Sequence, residues 1–322
     1  MKRPYVRALF AIALTLAAAA PALALYPERP VRIVAPVAAG GGVDVLARLI
    51  AQGLNETGGQ KVYVENKPGA AGVIGSQLVM NSPPDGYNFL FTPSSLSLAA
   101  AVRKVPPYDV ARDFTPIVYV AITPYALVVN KSLPVKTVAE LVAYARAHPG
   151  ALSYSSAGIG SASHLSAELF KAMAGIDMVH VPNKGVSPAI LDLIGGQVQL
   201  TFAGLPAIQA QKDLDRVTLL GLAEAQRSAL MPELPTIAEQ GLPGFATNNW
   251  VGLLGPAGLD PAIAAKLHAD VVALLATGGM QARMRTLGYD LVAGPPDQLG
   301  RQMSDDVARW SAVVDKAHIP RN

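Results

Sequence analysis

The stretch that most constrains the fold is residues 31–54, which read VRIVAPVAAGGGVDVLARLIAQGL. A β-branched apolar run ends at Pro36, and apolar residues recur at helical spacing from Val43, so the pattern predicts a strand, a glycine turn and a helix. Successive glycines leave the backbone open to a ligand, and the amide groups at a helix start lack an intrahelical acceptor. Such a turn favours an anion, and it is also compatible with a plain strand-to-helix connection.

A dinucleotide-binding fold begins with the same three elements, and Glu65 lies about where its ribose-binding acid would stand. The G-x-G-x-x-G spacing fails, however, because Val45 occupies the place of the third glycine. Asp44 would also put a carboxylate in the first helical turn, close to a pyrophosphate. The sequence therefore argues against a dinucleotide site at this turn.

The first 24 residues have the pattern of a cleaved secretory signal. Basic residues precede an apolar, alanine-rich run, and Ala22 and Ala24 provide the small residues needed for cleavage after Ala24. An uncleaved membrane anchor is the alternative interpretation, although Pro21 interrupts the run. We therefore predict an exported protein that works in the periplasm.

Composition excludes several classes of function. Loss of the three basic residues of the signal lowers the Lys plus Arg count from 26 to 23, which equals the 23 Asp plus Glu. The mature chain is then formally neutral and lacks a basic cluster with interleaved aromatics, so we expect no nucleic acid partner. The absence of cysteine removes disulfides and thiolate metal sites. The five histidines show no metal-binding spacing, so we expect no metal and no cofactor.

The rest of the chain predicts an α/β fold with two lobes, since 322 residues are enough for two cores. Strands and helices alternate up to residue 91, which predicts a mainly parallel sheet flanked by helices. The apolar run over residues 117–129 is interrupted by Thr123-Pro124, the candidate first hinge. A strand from about Trp250 would return the chain to the first lobe. We predict lobe I from residues 25–123 and 250–322, and lobe II from residues 124–249, each with a mainly parallel sheet.

Lobe II repeats the strand, turn and helix design. A short strand precedes the serine- and glycine-rich residues 155–163, and a helix is predicted from His164 to Ala174. We interpret this turn as a second anion cradle. Ser94 and Ser95 follow the third strand of lobe I, at the sheet edge where ligands of open α/β sheets bind, although a serine-capped helix start is the alternative.

The free energy needed for ligand capture favours two anion cradles over one. A hydrogen bond to a charged group contributes about 1.5 to 3 kcal/mol and a helix terminus roughly 0.3 to 1, whereas micromolar capture needs about 8 kcal/mol. One glycine turn with two or three donors falls short once the costs of association are subtracted. Two turns that face each other across a closing cleft reach the required free energy, so the pattern predicts a two-lobed capture device.

A set of short motifs runs in order over nearly the whole mature chain: Tyr26-Pro27-Glu28-Arg29-Pro30, Pro36 with Gly40-Gly41 and Asp44, Val64 to Ala70 with Gly72 and Gly75, Pro84-Asp85-Gly86-Tyr87, Asp113-Phe114, Gly160-Ser161 with His164-Leu165, His180-Val181-Pro182 with Lys184-Gly185, Pro235-Thr236 and Pro256-Ala257-Gly258. In this order and spacing the chain resembles the periplasmic solute receptors of tripartite tricarboxylate transporters, the Bug family.

The resemblance implies a type II periplasmic binding protein fold that closes on a small carboxylate and delivers it to a cognate membrane permease. It implies that residues 37–42 and 155–163 hold the ligand from opposite lobes, partly through water, and we expect a monomer. Val37 stands where the family usually has Phe, Asn183 where it usually has Tyr, and Ala203 where an Asp is common. These departures favour a bulkier or more anionic ligand than the usual dicarboxylate.

An exported α/β hydrolase that uses Ser161 and His164 is the alternative function. No G-x-S-x-G elbow is present, and neighbouring residues at a helix start point in different directions, so we predict a receptor and not an enzyme. The pair Asp305-Asp306 is predicted to be solvated on a polar helix face. The candidate ligand-binding residues are Val37, Ala38, Ala39, Gly40, Gly41, Asp44, Ser94, Ser95, Ser156, Gly158, Gly160, Ser161, Ala162, His164, Asn183, Lys184 and Ala203.

Overall fold

The computed structural model of the chain describes residues 26–58, 61–247, 249–316, 319 and 321. The predicted signal, residues 1–24 with cleavage after Ala24, lies outside the described residues and stays a prediction. Within these ranges no single helix has both the length and the apolarity needed to cross a membrane. Only the pair Pro261–Leu275 and Gly278–Thr286, bent by 76°, passes that test when the two helices are taken together.

The first lobe is built on a six-stranded sheet with the order β11-β4-β10-β3-β1-β2. β1 pairs in parallel with β2 and β3, whereas β10 runs antiparallel to β3 and β4, and β11 runs antiparallel to β4. The strands are β1 (Val31–Ala35), β2 (Val62–Asn66), β3 (Asn88–Pro93), β4 (Phe114–Ile122), β10 (Trp250–Pro256) and β11 (Asp290–Gly294).

Helices cover both faces of this sheet. Along β1 the side chains alternate, so that Val31 and Ile33 join one apolar cluster while Val34 joins the cluster on the opposite face. The first cluster receives the apolar sides of α1 and α8, and the second receives those of α2, α3 and α10. The helices are α1 (Gly42–Gly58), α2 (Val73–Met80), α3 (Ser95–Ala101), α8 (Pro261–Leu275), α9 (Gly278–Thr286) and α10 (Pro296–Lys316).

The second lobe is built on a five-stranded sheet with the order β7-β6-β8-β5-β9. β6 pairs in parallel with β7 and β8, and β5 runs antiparallel to β8 and β9. The elements are β5 (Tyr125–Asn130), α4 (Val138–Ala147), β6 (Ser153–Ser156), α5 (Ala162–Ala174), β7 (Val179–Pro182), α6 (Val186–Ile194), β8 (Leu200–Gly204), α7 (Leu205–Gln209) and β9 (Val217–Leu222).

The predicted two-lobed α/β architecture is confirmed, but both sheets are mixed and not mainly parallel. Parallel pairing holds for strands joined by helical crossovers, such as β1, β2 and β3. The antiparallel neighbours arise where the chain changes lobe. β4 leads directly into β5, and β10 returns to lie between β3 and β4. Strand and helix alternation predicts direction only within one lobe, because a strand that arrives from the other lobe has no crossover helix to fix its direction.

The two segments that cross between the lobes lie side by side. The chain passes from the first sheet to the second between Ile122 and Tyr125, and it returns just before Trp250. The Thr123 N–H donates a hydrogen bond to the Asn249 carbonyl oxygen at 2.6 Å. The predicted lobe boundaries at residues 123/124 and 249/250 are compatible with these crossings and stay a prediction.

An apolar cluster also joins the lobes away from the crossings. Leu165 of α5 is fully buried, and it packs in one cluster with Leu98 and Val102 of the α3 region and with Trp310 and Val314 of α10. α5 belongs to the second lobe, whereas α3 and α10 belong to the first. The lobes are therefore in direct apolar contact in this structure.

Asp306 is buried, and the prediction that the Asp305-Asp306 pair is solvated is wrong for this residue. Its side chain accepts hydrogen bonds from Trp250 Nε1 at 2.7 Å and from Gln302 Nε2 at 3.0 Å. Burial raises the pKa of Asp306 to about 6, although the Trp250 bond opposes the rise. Asp306 is buried because helical periodicity places it on the buried stripe of α10, with Leu299, Met303, Trp310 and Val314.

Replacement of Asp306 by Asn is expected to raise the free energy of unfolding at pH 7.5 by about 1 to 2 kcal/mol. The folded carboxyl keeps its proton to about pH 6, above the ordinary value. The wild type therefore loses stability as the pH rises through the window between about 4 and 6, and Asn removes that loss. Urea unfolding at pH 4.5 and 7.5 measures the difference. Exposed Asp305→Asn is the matched control, and a variant D306N less stable than wild type at pH 7.5 would contradict the expectation.

Candidate functional site

The first loop of the candidate site, residues 36–41, joins β1 to α1 at the carboxyl end of β1. Residues 38–41 are exposed, and Val37 is half-buried. The Gly40 N–H is used inside the loop, where it donates to Asp44 Oδ2 at 2.8 Å. Among the residues that the structure describes, the N–H groups of Gly41, Gly42 and Val43 meet no protein acceptor. The start of α1 therefore offers three free donors at its positive end.

Asp44 fixes the shape of this loop from inside the lobe. It is 2% exposed, and its carboxylate also accepts hydrogen bonds from Asn66 Nδ2 at 2.8 Å and from Arg48 Nε at 3.1 Å. Burial opposes ionisation, but the hydrogen bonds from Arg48, Gly40 and Asn66 together hold the pKa of Asp44 below its ordinary value. Its oxygens are thus engaged by the protein, and through Gly40 they fix the conformation of the loop.

The second loop, residues 157–161, joins β6 to α5 in the other lobe. Ser161 caps the helix by accepting the His164 N–H at 3.4 Å, which starts α5 at Ala162, two residues before the predicted start. The hydroxyl groups of Ser156 and Ser163 accept the N–H groups of Gly158 and Ala157. Within the described part of the chain, the N–H groups of Ala162 and Ser163 meet no acceptor. These two donors lie at the start of a helix, as in the first loop.

Other predicted site residues have protein partners of their own. Ser94 is buried and its hydroxyl donates to Asn249 Oδ1 at 2.9 Å, whereas Ser95 is half-buried. Asn183 lies beside the second loop, where its N–H donates to the Ser156 carbonyl at 2.9 Å, but its side-chain amide donates to Asp192 Oδ2 of α6 at 2.8 Å.

The last two predicted residues differ sharply in exposure. Lys184 is exposed at the turn before α6. Ala203 is fully buried in an apolar cluster of the second lobe. The structure therefore gives Lys184 access to solvent, and it places Ala203 behind the surface that a ligand could reach.

Both loops lie at the junction of the lobes. A Cβ atom added to Gly42, at the start of α1, would lie 3.1 Å from Pro206 Cβ of the second lobe and 2.8 Å from the Tyr289 hydroxyl oxygen. A Cβ atom added to Gly160, in the second loop, would lie 3.2 Å from Val102 Cγ2 of the first lobe. Each glycine turn therefore touches the opposite lobe.

A third loop beside the site was missed by sequence reasoning. Residues 69–72 have positive φ throughout, including 50° at Ala70 and 58° at Ala71. Such backbone is strained for alanine, and strain of this kind concentrates at functional sites. A Cβ on Gly72 would lie 3.5 Å from Pro36 Cβ, and Arg103 Nη2 donates to the Ala70 carbonyl at 3.1 Å. The two glycines that bracket the pair of alanines are the sequence signal that could have identified this loop.

The geometry gives no support to the hydrolase alternative. Ser161 Oγ donates to the Gly158 carbonyl at 2.6 Å, and it accepts the backbone N–H of His164 and not the ring. The imidazole Nδ1 of His164 accepts the Gly160 N–H at 3.2 Å. Over the described ranges there is no group of three or more His, Asp or Glu side chains that could hold a metal ion.

Two α/β lobes joined by paired crossing segments, with a helix start from each lobe at their junction, define a two-lobed solute-binding protein. Residues 46–319 match the family described as TctC, tripartite tricarboxylate transporter family receptor, and the chain belongs to this family. The resemblance to the Bug receptors is therefore confirmed. The family is one of transport receptors, so the prediction of a receptor and not an enzyme is confirmed as well.

Solved structures of similar chains have the same fold. The Rpa4515 protein of R. palustris with adipate is 38% identical, with coverage of 92% of this chain and 99% of its own and a TM-score of 0.85. The periplasmic binding protein BugD is 33% identical, with coverage of 92% and 100% and a TM-score of 0.82. MatC from Rhodopseudomonas palustris with bound malate is 31% identical, with coverage of 90% and 100% and a TM-score of 0.81. The two-lobed periplasmic binding protein fold is thereby confirmed.

Proposed function

We propose that this receptor captures a small carboxylate between the loop at residues 36–41 and the loop at residues 157–161, and that it delivers the ligand to a tripartite tricarboxylate-type permease. The observation that carries the proposal is the pair of helix starts, one from each lobe, whose free N–H groups lie at the lobe junction. Helix starts bind anions because their unpaired N–H groups and the helix dipole both favour negative charge.

The similar proteins support a carboxylate as the ligand. Two solved relatives contain adipate and malate, which are both dicarboxylates. Lys184 is exposed and is the only lysine or arginine among the candidate site residues. Binding through backbone amides therefore accounts for most of the recognition in this proposal, and the small side chain of the half-buried Val37 sets the space around the ligand.

The working cycle follows from the same proposal. The lobes hinge at Thr123-Pro124 and at Asn249, and they close on the ligand. The receptor works as a monomer. The signal is removed after Ala24 and the mature receptor works in the periplasm, where it meets the permease. The similarity to the periplasmic protein BugD supports this location.

A ligand screen on the purified mature chain tests the proposal. We expect at least one carboxylate among adipate, malate, tricarboxylates and aromatic acids to bind with a micromolar Kd. At a ligand concentration of about 100 times Kd, binding increases the free energy of unfolding by about 2.7 kcal/mol, which raises Tm by roughly 3 to 8 °C. Adipamide, which lacks the negative charges of adipate, is the control and is expected to give no shift. Absence of binding across all four classes in thermal shift and calorimetry would contradict the proposal.

A further inference from the structure

A column of three stacked rings lies next to the second loop. The His164 ring lies 4.3 Å from the His180 ring, and the His180 ring lies 4.7 Å from the Tyr154 ring, measured between centroids. The parallel register of β6 and β7 pairs Tyr154 with His180 and so sets this stack. His164 is 6% exposed, and His180 is half-buried.

Each histidine supports one of the two loop glycines that have left-handed backbone, Gly158 at φ 120° and Gly160 at φ 78°. His164 Nδ1 accepts the Gly160 N–H at 3.2 Å, which requires that Nδ1 carries no proton. His180 Nε2 lies 2.6 Å from Ser156 Oγ, and the same hydroxyl oxygen accepts the Gly158 N–H at 3.1 Å. The conformation of the loop therefore depends on both rings.

The surroundings keep the two rings neutral. Burial lowers the pKa of His180 to about 4, and repulsion from His164 adds to this effect. Burial also lowers the pKa of His164, with Glu168 acting against the change and Lys171 acting with it. Glu168 accepts hydrogen bonds from the Tyr154 hydroxyl and from Lys171 Nζ, so its negative charge already has partners.

We propose that His164 and His180 are positioning residues that hold the second loop in its ligand-binding conformation, and that this conformation requires a neutral His164 ring. This inference rests on the proposed function, because it concerns the loop assigned to the ligand. Protonation of His164 at Nδ1 turns the acceptor into a donor that faces the Gly160 N–H, and the loop is released. The ordered loop binds fewer protons than the released loop, so its stability is complete above about pH 6.5 and is lost as the pH falls.

Two substitutions of His164 separate this role from simple packing. His164→Asn places the Asn Oδ1 acceptor near the position of Nδ1 and cannot titrate, so it is the rescue variant. His164→Leu leaves the Gly160 N–H without an acceptor at every pH. His148→Asn is the matched control, because His148 also stacks on a ring, that of Tyr144 at 4.4 Å, but lies exposed at the end of α4.

The first measurement is the Kd of adipate by calorimetry at pH 7.5 and 5.5. At pH 7.5 we expect H164N to match wild type and H164L to bind about tenfold more weakly. Between the two pH values, wild type and H148N are expected to lose about tenfold in affinity, whereas H164N loses about threefold or less. Titration of adipate itself is common to all four proteins, so it cancels in the comparison. An equal loss in wild type and H164N would overturn the proposal.

The second measurement needs no ligand. Hydrogen exchange of residues 157–164, corrected for the intrinsic rate, is expected to be faster at pH 5.5 than at 7.5 in wild type and unchanged in H164N. Unchanged protection in wild type would overturn the positioning role, even if carboxylates bind. If hydrogen exchange changes with pH as expected but no carboxylate binds at either pH, the positioning role stands and the proposed function is contradicted.

Discussion

Gly41→Trp is expected to weaken carboxylate binding at least about 100-fold, which corresponds to about 2.7 kcal/mol, without loss of the fold. A Cβ atom on Gly41 would contact only the Ala38 carbonyl oxygen, at 3.6 Å, and the backbone there needs no positive φ. The indole would therefore extend into the open space over the start of α1 and cover its free N–H groups. Calorimetry gives the Kd, and thermal unfolding without ligand shows whether the fold is kept.

The choice of glycine decides how cleanly this experiment tests the site. Gly42 and Gly160 are unsuitable because added side chains would clash with Pro206 or Val102 of the opposite lobe. Gly279→Trp is the matched control, since Gly279 lies in the same lobe and a Cβ there would meet no atom within 4 Å. Full affinity in G41W would show that the ligand does not rest on the first loop.

Leu165→Ala is expected to weaken ligand binding by about 10- to 30-fold and to enlarge the radius of gyration of the free protein. Removal of a buried Leu side chain costs about 2 to 5 kcal/mol, and the contacts of Leu165 include α3 and α10 of the other lobe. Part of that cost therefore falls on the closed arrangement alone and opposes closure around the ligand. Calorimetry and small-angle X-ray scattering measure the two effects.

Leu191→Ala is the matched control for this variant, because Leu191 lies on α6 of the same lobe and is 57% exposed. It is expected to change neither the Kd nor the radius of gyration. A large fall in Tm of L165A with an unchanged Kd would mean that Leu165 stabilises the fold equally in open and closed forms. The cluster would then have no part in closure.

Local patterns made the two loops of the candidate site predictable from sequence. The strand, glycine turn and helix at residues 31–54 are adjacent in the chain, so periodicity and glycine chemistry were sufficient to place the first loop. The same reasoning found the second loop, although it missed the cap at Ser161 that starts the helix early. Two lobes were predictable because interruptions at Thr123-Pro124 and before Trp250 are also local signals.

Contacts between distant residues were not predictable in this way. Tyr289 reaches the Gly42 turn only through the pairing of β11 with β4, and no local pattern encodes that pairing. Asp44 was correctly placed near the first loop, but its engagement by Asn66 depends on the parallel register of β1 and β2. The burial of Asp306 was readable in principle, since its spacing from Met303 and Trp310 is helical and the residue type masked the pattern.

The position of β10 between β3 and β4 has a consequence for the order in which the molecule is assembled. The five strands of the second sheet come from one continuous stretch, β5 to β9, so that half can pair all of its strands as soon as residue 222 is available, while its apolar core also needs Ile237, Leu242 and Phe245. The other half has a gap in its middle until the strand that starts at Trp250 arrives. A shortened chain that ends before this strand would leave β3 with an unpaired edge and β4 with no partner strand, and both would be exposed to aggregation.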